Sequence, residues 1–356
     1  MSAGVRKPNG KKREKVSDDD GERVTHSGAP ESAAQLTKPA WKYLLKRTVK
    51  EVAGDELSDK AAALTYYAVL SLFPALIALI SILGVVGHGQ ETTDTLLKTL
   101  GEFAPPDTVE LLREPNRSVT ETPSAGLGLV IGVLVALWTA SRYVDAFSRA
   151  MNGIYGVGEG RPIWKRRPLM YLLTACLIIL VALAALTLVL SGPIARTVGE
   201  FVGLGPATVM VWNLAKWPVL LVVAVIIIAL LYHFTPNVKR PKFRWVSLGA
   251  VVALIAAAVA TGGFAVYLRY LGSEGFNKTY GSLAGVILFF LWLWIINLMI
   301  LVGAEFDVEI ERARELQDGE PAAQDIQLPL RDDHQLAKQR DSHERLVDEG
   351  EQLRGG

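Results

Sequence analysis

The sequence predicts an all-α, polytopic membrane protein with six transmembrane helices, a short extracytoplasmic helical cap and disordered tails. Three observations predict it. Six stretches, Ala61–Gln90, Thr122–Ser141, Pro168–Ala195, Trp217–Val238, Trp245–Leu268 and Thr279–Ala304, contain no Asp, Glu, Lys or Arg. Each has about the 20 helical residues needed to cross a hydrocarbon core roughly 30 Å thick. The excluded charges crowd into the loops and termini, with a sign that alternates from loop to loop. Runs such as Leu177–Leu190 and Val219–Leu231 are also continuously apolar. That suits helices, which satisfy their own backbone in lipid, and not the alternating strands of a barrel.

Residues 1–40 are rich in Lys, Asp and Gly, with no apolar signal-peptide core or small-residue cleavage site. They are expected to form a disordered cytoplasmic tail. Trp41, Leu44, Leu45, Thr48, Val49 and Val52 then recur at helical spacing, flanked by Lys42, Lys46, Arg47 and Lys50. Two placements suit this stripe: flat on anionic headgroups, or packed against the ends of the spans.

The membrane domain is placed at 41–310, with spans at about 61–87, 123–141, 169–191, 217–234, 245–267 and 281–303. Pro74 predicts a kink in the first span near Leu70–Pro74, and a broken helix lining a cavity is the other possibility. Between Glu91 and Glu121, Leu96, Leu97, Leu100 and Phe103, then Val109, Leu111 and Leu112, predict two short helices capping the outer face. Gly128/Gly132 and Gly281/Gly285 have the spacing of close helix contacts. Tryptophans near the span ends suit an interfacial belt. The lone cysteine, Cys176, has no intrachain partner and is expected to be a packing residue. The segment 311–356 mixes charges of both signs and is expected to be a charged cytoplasmic tail.

The positive-inside rule orients the chain. Arg142, Arg149, Arg161, Lys165, Arg166 and Arg167 lie between the second and third spans; Lys239, Arg240, Lys242 and Arg244 lie between the fourth and fifth. The loop after the first span is acidic instead. Both termini are therefore expected in the cytoplasm.

Chemistry-bearing motifs are scarce. The five histidines form no metal motif, and no phosphate loop or GxSxG elbow occurs. No cofactor is implied and no catalytic residue is assigned. A formal net charge of +1 gives no basic surface for nucleic acid. The expected partners are membrane lipids, and a homo-oligomer is compatible with the sequence. Tyr66, Ser71, Pro74, Asn277, Tyr280 and Asn297 are candidates for a pathway or for polar contacts inside the bundle. For Asn297, one interhelical hydrogen bond would suffice. Asp59, Arg142, Glu305 and Asp307 form a charged cytoplasmic rim, in which Arg142 is expected to pair with Glu305 or Asp59.

Three blocks carry a resemblance. They are Asp59-Lys60 with AAALTYYAVLSLFPALIALIS (Ala61–Ser81); LWTASR (Leu137–Arg142) with AMNGIY (Ala150–Tyr155) and Arg161; and FNKTYGSLAGVILFFLWLWIINLMILVGAEFD (Phe276–Asp307). Together they resemble the YihY/BrkB family of bacterial integral membrane proteins over roughly residues 40–312. The resemblance implies a six-helix protein of the bacterial plasma (inner) membrane. Members have been labelled ribonuclease BN, and one branch is named for a virulence factor linked to serum resistance. Metal-assisted phosphodiester hydrolysis needs clustered ligands, and none is seen here, so a ribonuclease is disfavoured. The leading expectation is a transporter or permeation pathway, not driven by ATP, for a small solute, ion or lipid. The alternative is an envelope-maintenance or scaffold protein that does not transport.

Overall fold

A computed structural model of the chain describes residues 35–86, 125–189, 206–239, 247–272 and 280–355. Among these the regular structure is helical. The helices are α1 (Lys38–Gly54), α2 (Leu57–Val86), α3 (Ala125–Ile154), α4 (Ile163–Val189), α5 (Pro206–Phe234), α6 (Leu248–Tyr267), α7 (Ala284–Gln317) and α8 (His334–Gly355). The expected extracytoplasmic cap, the Gly128/Gly132 side chains and the tail before Gln35 fall outside the described set.

Among the described residues, four helical segments have the length and apolarity to cross a membrane: Ile163–Leu188, Met210–Phe234, Leu248–Tyr270 and Ala284–Gln317. The helices α2 and α3, of 30 residues each, pack along one another. From α2 to α7 each helix packs on its neighbour in sequence, and α7 returns to α2, so the six form a closed ring. α2 continues as helix through Pro74 to Val86, so the broken-helix alternative is not what forms.

Burial among the described side chains of the ring is lopsided. The core gathers Leu57, Leu64, Phe147, Met151, Met170, Leu231, Tyr232 and Leu301 near one end. Toward the other end Ile179, Leu186, Met210, Leu214, Val259 and Val266 are exposed. Cys176 is exposed on this apolar exterior as well, not packed inside. So much apolar surface on helices of this length has a stable home in lipid.

Two helices outrun their apolar stretches. α3 continues from the expected end at Ser141 to Ile154. Val144, Phe147, Met151 and Ile154 keep one buried stripe going there, so the helix simply becomes amphipathic. α7 continues past Gly303 to Gln317 and buries Ala304, Val308 and Ala313. At about 1.5 Å per residue its 34 residues reach roughly 50 Å, far beyond a hydrocarbon core. Only the stretch up to Gly303 is apolar enough to lie in lipid. α5 in turn begins at Pro206, well before the expected Trp217, and runs through Pro218.

The amphipathic helix α1 packs against the polar extension of α7. Its Thr37 cap accepts from the Ala40 amide, and Pro39 occupies the first turn, where no donor is needed. Leu44 and Thr48 are buried, and Trp41 meets the Phe306 ring at 6.3 Å. Thr37 contacts Gln317 and Arg47 contacts Glu309, so α1 runs antiparallel to the α7 extension. Of the two placements open to it, packing on the span ends is the one observed.

The expectation of a disordered C-terminal tail is corrected. Residues 318–333 form a strap folded back under the bundle, followed by α8. Ala322 is fully buried, Ile326 and Leu328 pack on the core, and Leu330 makes an antiparallel bridge with Val238. Low apolar content misleads here because hydrogen bonds to helix-end carbonyls, rather than a separate core, tie the segment down.

Candidate functional site at the polar end of the bundle

Helix ends leave carbonyls and amides without partners, and the polar end of this ring is built from side chains that supply them. Arg161 is the main fastener. It is 6% exposed and donates to Glu159 through Nε at 2.7 Å and Nη2 at 2.8 Å. It also donates to Ser148 Oγ at 3.1 Å and to the Thr235 carbonyl at 2.8 Å. A cation on the last carbonyls of α5 suits the negative end of that helix dipole. Burial opposes the charged form of Glu159, but hydrogen bonds and charge from Arg161 outweigh it and hold this carboxyl below its ordinary range. Asn152 donates to Glu159 and accepts from the Asn237 amide at 2.8 Å.

The strap adds a second arginine. Arg331 donates to the Val238 carbonyl at 2.9 Å, to Phe234 and, closely, to His233. Asn237 donates to the carbonyls of Gly158 and Asp332, and Lys165 pairs with Asp332 at 2.8 Å. Gly160 has to lack a side chain, since a Cβ there would lie 1.9 Å from the Asp332 carbonyl oxygen. Replacing Arg331 with Gln removes the charged donor from several carbonyls and should cost about 1.5–3 kcal/mol. The strap should then be cut faster than wild type in limited proteolysis of detergent-purified protein. An unchanged cleavage rate would show that the strap is held elsewhere.

A carboxylate cluster lies on the extension of α7. Glu305 and Glu309 follow Asn297 and Leu301 at intervals of four on α7, and all four are buried. Glu309 pairs with Arg312 at 2.9 Å and with Arg47 at 3.3 Å. Arg312 further donates to the carbonyls of Ala322 and Gln324, joining this cluster to the strap. Burial, partly opposed by Arg312 and Arg47, raises the Glu309 carboxyl. Burial first, then the charges of Asp55, Glu309 and Glu51, push Glu305 up to about 8.

The structure distributes the sequence candidates among separate contacts. Asn297 accepts from Tyr143 at 2.8 Å and donates to Thr65 at 3.2 Å and to the Leu293 carbonyl at 3.0 Å, tying α3, α2 and α7 together. Ser71 donates to the Ala68 carbonyl of its own helix. Tyr66 and Tyr280 are exposed. Pro74 lies within α2, but its side chain, like all of Asn277, is outside the described set. Asp59 sits in the first turn of α2, where a carboxylate suits the helix N-terminus. Asp307 accepts from the Gly249 amide at 2.7 Å and caps α6.

The expected Arg142–Glu305 pair is corrected. The Arg142 guanidinium lies over the Trp138 ring, 4.5 Å from its centroid, while the groups acting on Glu305 come from α1, α2 and α7. The close-contact glycines also differ. A Cβ on Gly281 or Gly285 would meet nothing within 4 Å. One on Gly249 would lie 2.1 Å from the Gly303 carbonyl oxygen, and one on Gly303 would lie 2.4 Å from that of Gly249. Their 54-residue separation leaves no short spacing motif to betray them. Among the described residues, no group of three His, Cys, Asp or Glu is placed to hold a metal ion.

A ring of long apolar helices with exposed lipid-compatible faces and one polar, capped end defines a polytopic helical membrane protein. More particularly, the chain belongs to the Virulence factor BrkB family, whose profile matches residues 48–327, in line with the resemblance carried by the three sequence blocks. It is 29% identical over 277 residues to the "Putative ribonuclease-like protein YfkH" of Bacillus subtilis, covering 78% of this chain and 98% of that one. It is 27% identical over 294 residues to a "UPF0761 membrane protein" of Chromohalobacter salexigens, covering 76% of this chain and 65% of the relative. A protein of the same name from Alkalilimnicola ehrlichii is 28% identical over 256 residues, 71% of this chain and 54% of the relative. The chain thus spans less than two thirds of either UPF0761 relative. No solved structure matches.

Proposed function

We propose that the chain crosses the plasma membrane six times, with both termini and the capped polar end in the cytoplasm, and forms a permeation pathway for a small solute, ion or lipid without ATP. The asymmetric packing of the ring carries this reading. Side chains from α1 to α7 close the polar end, whereas α4, α5 and α6 expose apolar side chains toward the other end. A ring of helices fastened together at one end is the kind of architecture that opens and closes by shifts between helices. The basic residues of the polar end support its cytoplasmic placement. A ribonuclease, as the printed name of the Bacillus subtilis relative suggests, is a poorer fit to this end of the molecule. The charged groups at this end are chiefly helix-capping arginines and the carboxylates Glu159 and Glu309 paired with arginines.

The test is flux through full-length protein reconstituted in vesicles of phosphatidylethanolamine and phosphatidylglycerol. A panel of ions, small solutes and fluorescent lipids should reveal at least one species crossing about tenfold or more faster than in empty vesicles. That rate should fall when the polar end is disrupted by Arg161→Met. Rates equal to those of empty vesicles across the panel would favour the non-transporting scaffold instead.

A further inference from the structure

The elbow between α1 and α2 rests on a buried carboxylate. Glu305 is 1% exposed, and its Oε2 has no hydrogen-bond partner among the described residues. Asp55, which caps the C-terminus of α1, lies within hydrogen-bonding reach of the Glu305 carboxyl. The next residue, Glu56, turns the chain in the left-handed region at φ 51°, and Leu57 enters the core fully buried. Two ionised carboxylates in this position repel each other, whereas one proton between them turns the contact into a hydrogen bond. We propose that Asp55 and Glu305 form a proton-binding site whose single shared proton holds the α1–α2 elbow against α7.

The surrounding charges leave that proton as the main source of neutralisation. Glu51 from α1 and Glu309 from α7 face Glu305 and add negative charge, while Lys60 from α2 opposes them. Arg312 acts on Asp55 but is hydrogen-bonded to Glu309 and to the strap. Arg47 is held by Tyr43, Glu51, Glu309 and the Ala323 carbonyl. The Lys60 ammonium leans toward α3, 3.0 Å from where a Cβ on Gly153 would stand. Both of these guanidinium groups are thus engaged elsewhere. Burial also raises the Asp55 carboxyl, with Lys60 opposing.

The sign of the pH dependence follows. The folded-state affinity of Glu305 for a proton is raised above its ordinary value of 4.5 to about 8. The stabilisation it brings is complete below about 4.5 and is lost as pH rises through about 8. Above that range the elbow should loosen on α7. This inference concerns protonation of the elbow and stands whether or not a solute crosses the ring.

Infrared difference spectroscopy of the full chain in phosphatidylethanolamine–phosphatidylglycerol nanodiscs, titrated between about pH 6 and about pH 10, tests it. Wild type should show a protonated-carboxyl band that disappears with a midpoint near 8. Glu305→Gln should lack the band. Asp55→Asn should lower the midpoint by about one unit, a tenfold loss of proton affinity, because an amide donates to the carboxylate and removes a like charge. Asp325→Asn, on an exposed residue, should leave the band unchanged. Hydrogen exchange of residues 50–62, corrected for intrinsic rates, should accelerate about tenfold across the same transition in wild type and stay flat in Glu305→Gln. Absence of a carboxyl titrating near 8 overturns the proposal. So does a band that survives Glu305→Gln, or a midpoint that Asp55→Asn does not move. If Glu305→Gln fails to fold, the Asp55→Asn midpoint decides alone.

Discussion

Gly303→Ala should detach α6 from α7 and lower the stability of the protein by about 2–4 kcal/mol, despite placing a better helix former in a helix interior. In a helix interior, alanine is worth about 1 kcal/mol over glycine. That gain is overwhelmed here. The added methyl carbon would stand 2.4 Å from the Gly249 carbonyl oxygen, 2.5 Å from the Ala253 Cβ and 2.8 Å from the Tyr232 hydroxyl. A backbone oxygen inside a helix cannot swing aside, so the helices themselves have to part, and overpacking of this kind costs about 1–3 kcal/mol or more. Parting would also break the bond from the Gly249 amide to Asp307 and that from Tyr232 to the Ile300 carbonyl. The control is built into the same pair of helices. Gly262 on α6 and Gly285 on α7 have open space where a Cβ would go, so alanine at either should be neutral or mildly stabilising. Thermal stability of the purified variants, followed by size-exclusion chromatography after heating, gives the comparison. Equal melting of Gly303→Ala and Gly262→Ala would contradict the close crossing of α6 and α7.

Arg161→Met should unfasten the polar end, at a cost of about 3 kcal/mol or more. The substitution keeps much of the aliphatic volume but removes the donors to Glu159, Ser148 and the Thr235 carbonyl. It leaves Glu159, whose side chain is 21% exposed, without its cation. Lysine should rescue little, because a single ammonium cannot reproduce a fork that grips both carboxylate oxygens and a helix-end carbonyl. The double variant Arg161→Met with Glu159→Gln should recover part of the loss, since the stranded charge is then gone. The ionised Glu159 contributes above its ordinary range, and its contribution fades only as pH falls through its depressed value. Wild type should therefore become more acid-sensitive than the double variant. If the double variant is no better than Arg161→Met, the Glu159 contact is not what Arg161 chiefly supplies.

The legible part of this fold is the part written in apolar runs. Ile163–Val189, Leu248–Tyr267 and the apolar stretch of α7 lie close to where charge exclusion placed spans. The stripe of Trp41, Leu44 and Thr48 foretold α1. What charge exclusion hid is where helices continue after the apolar run stops. Beyond Ser141 and Gly303, polar residues alternate with buried apolar ones at helical spacing, and the buried ones meet each other across helices. A span criterion, which counts charges, stops too early on both. The strap was hidden because its anchors are backbone carbonyls, those of His233, Phe234 and Val238 gripped by Arg331 and that of Asp332 gripped by Asn237; no local pattern marks them.

The site was legible to a similar degree. Asn297 declared itself as an amide in an apolar run and indeed needs its partners on two other helices. Arg161 stood out in the matched blocks, yet its role as a cap on α5 depends on a segment 73 or 74 residues away in sequence. Arg142 and Glu305 shared a membrane side by topology, which says nothing about direction around a helix. Arg142 turned to Trp138, and Glu305 turned to Asp55. Ion pairing at a rim is decided by rotation about helix axes, and charge counting along the chain carries no such information.

In the proposed placement, lipid surrounds the apolar helices and the capped end lies in the cytoplasm. Single cysteines placed in a Cys176→Ser background, labelled on intact cells with a membrane-impermeant maleimide, test both parts together. Asp318→Cys, at the end of α7, should stay unlabelled until the membrane is permeabilised, and Ser118→Cys, between the first two spans, should label at once. Labelling of Asp318→Cys on intact cells, with Ser118→Cys protected, would contradict the account.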